Sequence, residues 1–368
     1  MQINNKRSST LKAAFIALIA FTSVSIFSCT QDHQVPPGSS IDPKGPKPAW
    51  APDIHDEMWA VIEKLLSYGD TPIPQLTPQQ ARMNHTVKDA VTDLLAENNI
   101  TAPAPQVDTT GADIDVAGGK VHARIYTPRA GTAPYPVIVY YHGGGWVIAG
   151  IDVYDASAAA LSEQVGAVVV SVGYRKGPEF KFPTAHNDAF TAYQWVLAHT
   201  DMLKANPAKV GVAGESAGGN LAANVSIRAR DAKITLPKHQ LLVYPVANSD
   251  TMSTSYKQYY NAKPLDVPSL YWFLGHYLNN ISEAKDPRIS LVAADLKGLP
   301  STTIIAAQID PLTTEGMLLN EKLQAADVQT TYQLYAGTTH EFFGTAAIVP
   351  EAKQAQALAA SRFKEAFK

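Results

Sequence analysis

Residues 210–220 read VGVAGESAGGN, a short β-branched run followed by a serine set among glycines and alanines. KVGVA at 209–213 is apolar enough for a buried strand, and AGGNLAANVSIRAR at 217–230 has the length of a helix. A strand that passes straight into a helix through GESAG leaves Ser216 at the tip of a sharp turn. Gly214 and Gly218 carry no side chains to crowd that turn. Strand, tight turn and helix form the context in which a G-x-S-x-G serine acts as a nucleophile; an ordinary crowded turn is the competing reading.

The flanking sequence repeats the same alternation. PVIVYYH (136–142), AVVVSVGY (167–174), HQLLVYP (239–245) and STTIIAAQ (301–308) are β-branched runs without polar alternation. Strands buried on both faces read this way, and helices between them imply an α/β fold around a mostly parallel sheet. Helices are expected at Thr184–His199, Ala217–Arg230, Gly316–Ala326 and around Glu351–Phe367. Upstream, apolar spacing predicts helices over Ile54–Tyr68 and Pro78–Asn98, then a hairpin in which DIDV and VHARIYT flank AGGK. Residues 248–285 break the alternation with an aromatic-rich helical excursion, YKQYYNAKPLDVPSLYWFLGHYL within it. With the first two helices it could cover the edge of the sheet where strands end and ligands bind. Its aromatics (Tyr256, Tyr259, Tyr260, Tyr271, Trp272 and Phe273) suit either helix packing or a pocket wall.

A serine hydroxyl needs a base, and in this topology serine is followed by an acid and then a histidine. His239, His276 and His340 follow Ser216. His239 opens an apparent buried strand and His276 sits in the excursion, whereas His340 lies in a loop after the last strand-like run, TTYQLYA. Asp310 ends STTIIAAQID, with Pro311 closing the strand, and is the expected acid; Glu315 is the alternative, one turn further on. A neutral His340 is required, so activity is expected to fall below a pH of about 6.5. The glycines of HGGGW (142–146) follow the first central strand and could aim bare N–H groups at a developing oxyanion. His142 precedes the serine and reads as a support for that loop. No phosphate-binding glycine motif is present, and neither a cofactor nor a metal ion is expected.

From about Tyr126 onward the chain resembles the hormone-sensitive-lipase-like (bacterial family IV) esterases of the α/β-hydrolase superfamily. The resemblance rests on HGGGW, YRKGPEFKFP (174–183), GESAGG (214–219), DPRIS (286–290), DPL (310–312) and HEFFG (340–344). It implies an α/β-hydrolase fold with a helical cap, and Ser216, Asp310 and His340 as a catalytic triad. Backbone N–H groups of Gly143, Gly144 and Ala217 would form the oxyanion hole. The implied substrates are small esters of short to medium acyl chain. An amidase or peptidase of the same fold is the nearest alternative, and a non-catalytic surface-binding protein a more distant one. The chain departs from the family at Glu215, where Asp or Thr is usual, and at Thr313-Thr314, where Arg-Asp is common.

A net charge of −3 and the lack of a basic, aromatic-interleaved stripe argue against nucleic-acid binding. At the N-terminus Lys6, Arg7 and Lys12 precede AAFIALIAFTSVSIF, the layout of an export signal and short of the roughly 20 residues of a membrane span. Ile26-Phe27-Ser28-Cys29 resembles a bacterial lipobox, which implies lipidation of Cys29, the single cysteine, and attachment to an envelope membrane. A plain secretory signal is the alternative. The expected organisation is a leader over 1–28, a Pro-rich tether over 29–53, cap helices over 54–106 and a catalytic domain over 107–368 with its cap insertion at about 248–285.

Overall fold

The computed structural model describes residues 41–368; the expected leader, Cys29 and the tether up to residue 40 lie outside the described residues. Residues 41–53, expected to be tether, instead pack against the body. Ile41 and Ala51 are buried, and Trp59 Nε1 donates to the carbonyl of Gly45 (3.2 Å). The tether reading weighed the prolines and missed that Ile41, Trp50 and Ala51 supply enough apolar surface to dock.

β1 (Val107–Val116) and β2 (Gly119–Pro128) form the hairpin, turning at Ala117-Gly118, where Gly118 takes a φ of +78°. The remaining strands are β3 (Tyr135–Tyr141), β4 (Val168–Gly173), β5 (Ala205–Glu215), β6 (His239–Val243), β7 (Ser301–Ile309) and β8 (Thr330–Thr339). Their order is β1-β2-β4-β3-β5-β6-β7-β8, antiparallel through β1-β2-β4 and parallel from β4 onward. The parallel strands therefore end at one edge, which brings the residues after β3, β5, β7 and β8 together.

The helices are α1 (Asp56–Ser67), α2 (Pro78–Ala81), α3 (Val87–Glu97), α4 (Asp155–Val165), α5 (Thr184–Ala198), α6 (Ala217–Asp231), α7 (Thr254–Gln258), α8 (Val267–Tyr277), α9 (Thr313–Ala325) and α10 (Pro350–Ala366). The strand side chains alternate between two cores. Val137, Val139 and Tyr141 pack with α5, α6 and α9 on one face, while Ile138 and Tyr140 pack with α1, α3, α4 and α10 on the other. That two-sided burial is why these strands lack polar residues.

The single helix expected over Pro78–Asn98 is broken. Thr77 and Thr86 each form a capping box, with Gln80 and Asp89 respectively, so each threonine starts a new helix. Thr86 is extended (φ −114°, ψ 168°) and could not continue α2. α4 was not foreseen: DASAAALSEQV buries Ser157 and Ser162 as well as Ala158 and Leu161, so it carries no clear apolar stripe.

The segment after β4 is pinned by Arg175, which donates twice to the buried Asp188 of α5 (2.7 and 2.9 Å) and once to Ala117 O at the hairpin turn (3.0 Å). Asp188→Ala strands a largely buried guanidinium and is expected to destabilise the fold by about 3 kcal/mol. Thermal or denaturant unfolding of the variant checks this.

Candidate active site

Ser216 stands between β5 and α6 with φ +56° and ψ −120°, outside the usual range of a residue with a side chain. Its N–H donates to Val243 O (2.8 Å) and its carbonyl accepts from Val246 N–H (3.2 Å), so β6 and the loop after it clamp the turn. A Cβ on Gly214 would strike the carbonyl of Gly218, and one on Gly218 would strike the carbonyl of Tyr141. The two glycines of GESAG are thus required by backbone contact.

His340 follows β8 and Asp310 follows β7, both almost wholly buried. His340 Nδ1–H donates to Asp310 Oδ2 (2.7 Å), which leaves Nε2 as the proton-accepting nitrogen. The other carboxylate oxygen of Asp310 accepts from Leu312 N–H (2.9 Å). Burial alone would lower the His340 pKa, but Asp310, with Glu341 and Glu215, overcomes it and raises it above 6.5. Glu315, the alternative acid, faces away and accepts from Ala247 N–H (2.8 Å). His239 is bonded to Ser301 and Thr303 at the other end of the sheet, and His276 packs on Trp272.

The glycine loop begins where β3 ends. His142 is buried, donates from Nδ1 to Gly143 O (2.7 Å) and stacks on Tyr174, and burial lowers its pKa to about 3. Gly144 and Gly145 have φ of +97° and +58°. A Cβ on Gly143 would overlap Tyr154 Oη, and one on Gly145 would clash with the ring of Phe273 from α8. Among the described residues no protein acceptor takes the N–H of Gly143, Gly144 or Ala217. Gly144 lines the cavity described next; Gly143 and Ala217 are neighbours in sequence of the lining residues Gly144 and Ser216.

A cavity of about 300 Å³ has Ser216, His340, Glu341 and Gly144 in its wall. α1, the link from α1 to α2, α3 and α8 close it with Leu65, Ile73, Val87, Leu270 and Phe273. Of the aromatics in the excursion, Tyr256 and Phe273 line the cavity, Tyr259 joins the core, and Tyr260 and Tyr271 are exposed. Among the hydrogen bonds of the described residues none joins Ser216 Oγ to His340; the two share the cavity wall, and such contacts often tighten only with substrate bound.

A family profile described by the alpha/beta hydrolase fold matches residues 138–344. The chain is an α/β-hydrolase of the hormone-sensitive-lipase-like family. It is 34% identical over 250 residues to the carboxylesterase NlhH of Mycobacterium tuberculosis, covering 67% of this chain and 78% of that one. It is 32% identical over 261 residues to an arylesterase of Saccharolobus solfataricus, covering 70% and 84%. Among solved structures, the metagenomic carboxylesterase EstE1 superposes with a TM-score of 0.74 at 37% identity, over 80% of this chain and 99% of that one.

The hydrolase's departures from its family have structural partners. Thr313 Oγ1 lies 2.7 Å from the carbonyls of both Ala307 and Asp310 and closes the turn that carries the acid. Thr314 Oγ1 accepts from Ser255 N–H (3.2 Å), and Ser255 Oγ donates to Pro311 O (2.6 Å), tying the acid turn to α7. Sequence reasoning also missed Arg82, which donates to Val147 O (2.9 Å), Gly177 O (2.7 Å) and Glu179 (2.7 and 2.9 Å). It fastens the N-terminal helices to the segment after the glycine loop, and its hydrogen bonds to Glu179 draw that carboxyl's pKa down to about 2.

Glu215 is 1% exposed; Oε1 accepts from Tyr140 Oη and Oε2 from Tyr244 Oη, each at 2.5 Å. Burial raises its pKa to about 7, against those two hydrogen bonds and helped by Glu341. Between pH 4.5 and about 7 the folded hydrolase holds a proton that the unfolded chain releases, so stability falls as pH rises through that window. Glu215→Gln removes the loss and is expected to stabilise by up to about 3 kcal/mol at pH 8 and much less at pH 5. Unfolding measured at both pH values checks the difference.

Proposed function

We propose that the protein hydrolyses carboxylic esters of short to medium acyl chain through Ser216, His340 and Asp310. The observation that carries this is the buried His340–Asp310 hydrogen bond beside a cavity whose wall presents Ser216 on a clamped, positive-φ turn. In this reading His340 Nε2 takes the Ser216 proton as Oγ attacks the ester carbonyl. N–H groups of Gly143, Gly144 and Ala217 stabilise the resulting oxyanion. His340 then protonates the leaving alcohol; water, deprotonated by the same nitrogen, attacks the acyl-serine and releases the acid. Asp310 holds the ring with Nδ1 protonated and stabilises the imidazolium formed in each half. The relatives' names, carboxylesterase and arylesterase, support ester over amide bonds. The modest, largely apolar cavity supports small acyl groups.

Wild type is expected to hydrolyse p-nitrophenyl acetate and butyrate faster than the palmitate, and to leave peptide anilides intact. Ser216→Ala is expected to lose at least about 10³-fold in kcat. Because neutral His340 is the base and its pKa is raised, kcat/KM should fall on acidification with a midpoint above 6.5. A flat profile from pH 4 to 9, or faster anilide cleavage, would overturn the proposal.

We also infer export and membrane attachment through a lipidated Cys29, supported by the basic, apolar, then cysteine order of the N-terminus. Cys29→Ala should move the protein from the membrane to the soluble fraction of expressing bacteria. Unchanged fractionation would refute the lipid anchor.

A further inference from the structure

Glu215 is the buried carboxylate that the proposed reaction leaves without a task, although it touches three parts of the site. Through Tyr140 it holds the end of β3, two residues before His142 opens the glycine loop. Its own backbone carbonyl also lies beside Gly143, 3.1 Å from the point a Cβ on that residue would take. Through Tyr244 it reaches the base: the Tyr244 ring lies 4.4 Å from the His340 ring, centroid to centroid. Tyr244 is fixed from its backbone as well, with φ at +34° and its N–H donating to Ile305 O (2.6 Å). A continuous path of contacts therefore runs from the imidazole, through two tyrosines and one carboxylate, to the glycine loop.

We propose that Glu215 is a positioning residue for the hydrolysis, holding Tyr244 against His340 and the glycine loop against the elbow while its charge supports the imidazolium. The inference rests on the triad reading above. A neutral side chain of the same size could keep both phenols in place; it could not supply the charge. Three carboxylates reach His340 from three strands: Asp310 after β7, Glu341 after β8 and Glu215 at the end of β5. Facing Glu215 are Tyr140 of β3, Tyr244 after β6, Glu341, and the buried Ser157 of α4. Glu341 is in turn held by Tyr154 Oη (2.5 Å), just before α4. The imidazolium formed during turnover is the positive charge these acids surround. A carboxylate that lowers stability and stands beside a transient cation is placed for the reaction rather than for the fold.

The test follows the His340 imidazole by NMR titration alongside the pH dependence of p-nitrophenyl acetate hydrolysis, in wild type, Glu215→Gln, Glu215→Asp and Tyr244→Phe. In Glu215→Gln the His340 midpoint should fall by about 0.5–1 pH unit, and the acid limb of kcat/KM should fall with it. Its kcat should drop on the order of tenfold with KM within about twofold. Glu215→Asp keeps the charge, so the midpoint should stay near wild type while the shorter reach lowers kcat. Tyr244→Phe keeps the ring on His340 but loses the link to Glu215, and kcat should fall with KM unchanged. An unchanged midpoint and kcat in folded Glu215→Gln would overturn the proposal while leaving the triad intact. Should that variant not fold, an unchanged kcat in Tyr244→Phe would overturn it equally. Wild type without ester hydrolysis would overturn both readings, whatever the titrations show.

Discussion

The site depends on one strained backbone position. Ser216 occupies a region of φ/ψ space that costs a residue with a side chain roughly 1–3 kcal/mol, and such a conformation persists only where its surroundings enforce it. Enforcement comes from β6, which takes the Ser216 N–H, and from Val246, which donates to its carbonyl. It also comes from the approach of α6 to β3, close enough that residue 218 must be glycine. Each of these requires β5 to lie between β3 and β6, so the order of the sheet and the placement of Ser216 in the cavity wall are one constraint.

Once the strand ends share an edge, the electrostatics follow from burial. Asp310 and His340 lie thirty residues apart in sequence and 2.7 Å apart in space. A bulge between β7 and β8, where the register shifts from Ala307–Tyr335 to Ile309–Thr339, carries the chain around Gly337 and delivers His340 to Asp310. In so dry a setting a lone imidazole would stay neutral, as His142 and His186 do with pKa values lowered to about 3 and 4. His340 differs from them by its acidic neighbours, which is what the proposed role, a base that becomes a cation, requires.

Legibility in the sequence followed how local the physical signal was. The parallel strands could be read because burial on two faces empties them of polar residues; chain order and strand ends singled out Ser216, Asp310 and His340, which the fold brings to one edge of the sheet. α4 was hidden because its serines and alanines are buried together, leaving no stripe for a period to reveal. The break between α2 and α3 was written in Thr86 and Asp89, a capping box that apolar spacing alone passes over. Arg82, Ser255 and Tyr244 could not be found this way, because their partners lie 65, 56 and 29 residues distant. Nothing near them in sequence marks the contact.

The contact between Gly145 and Phe273 couples two properties usually treated as separable. The residue of the glycine loop beside the proposed oxyanion donors rests against a side chain of α8, a helix in the wall of the cavity. In the proposed reaction, fit to the acyl group and stabilisation of the developing charge thus pass through a single van der Waals surface. Grafting a relative's insertion onto this scaffold would transplant only half of a matched pair. Redesign of preference here has to move loop and helix together.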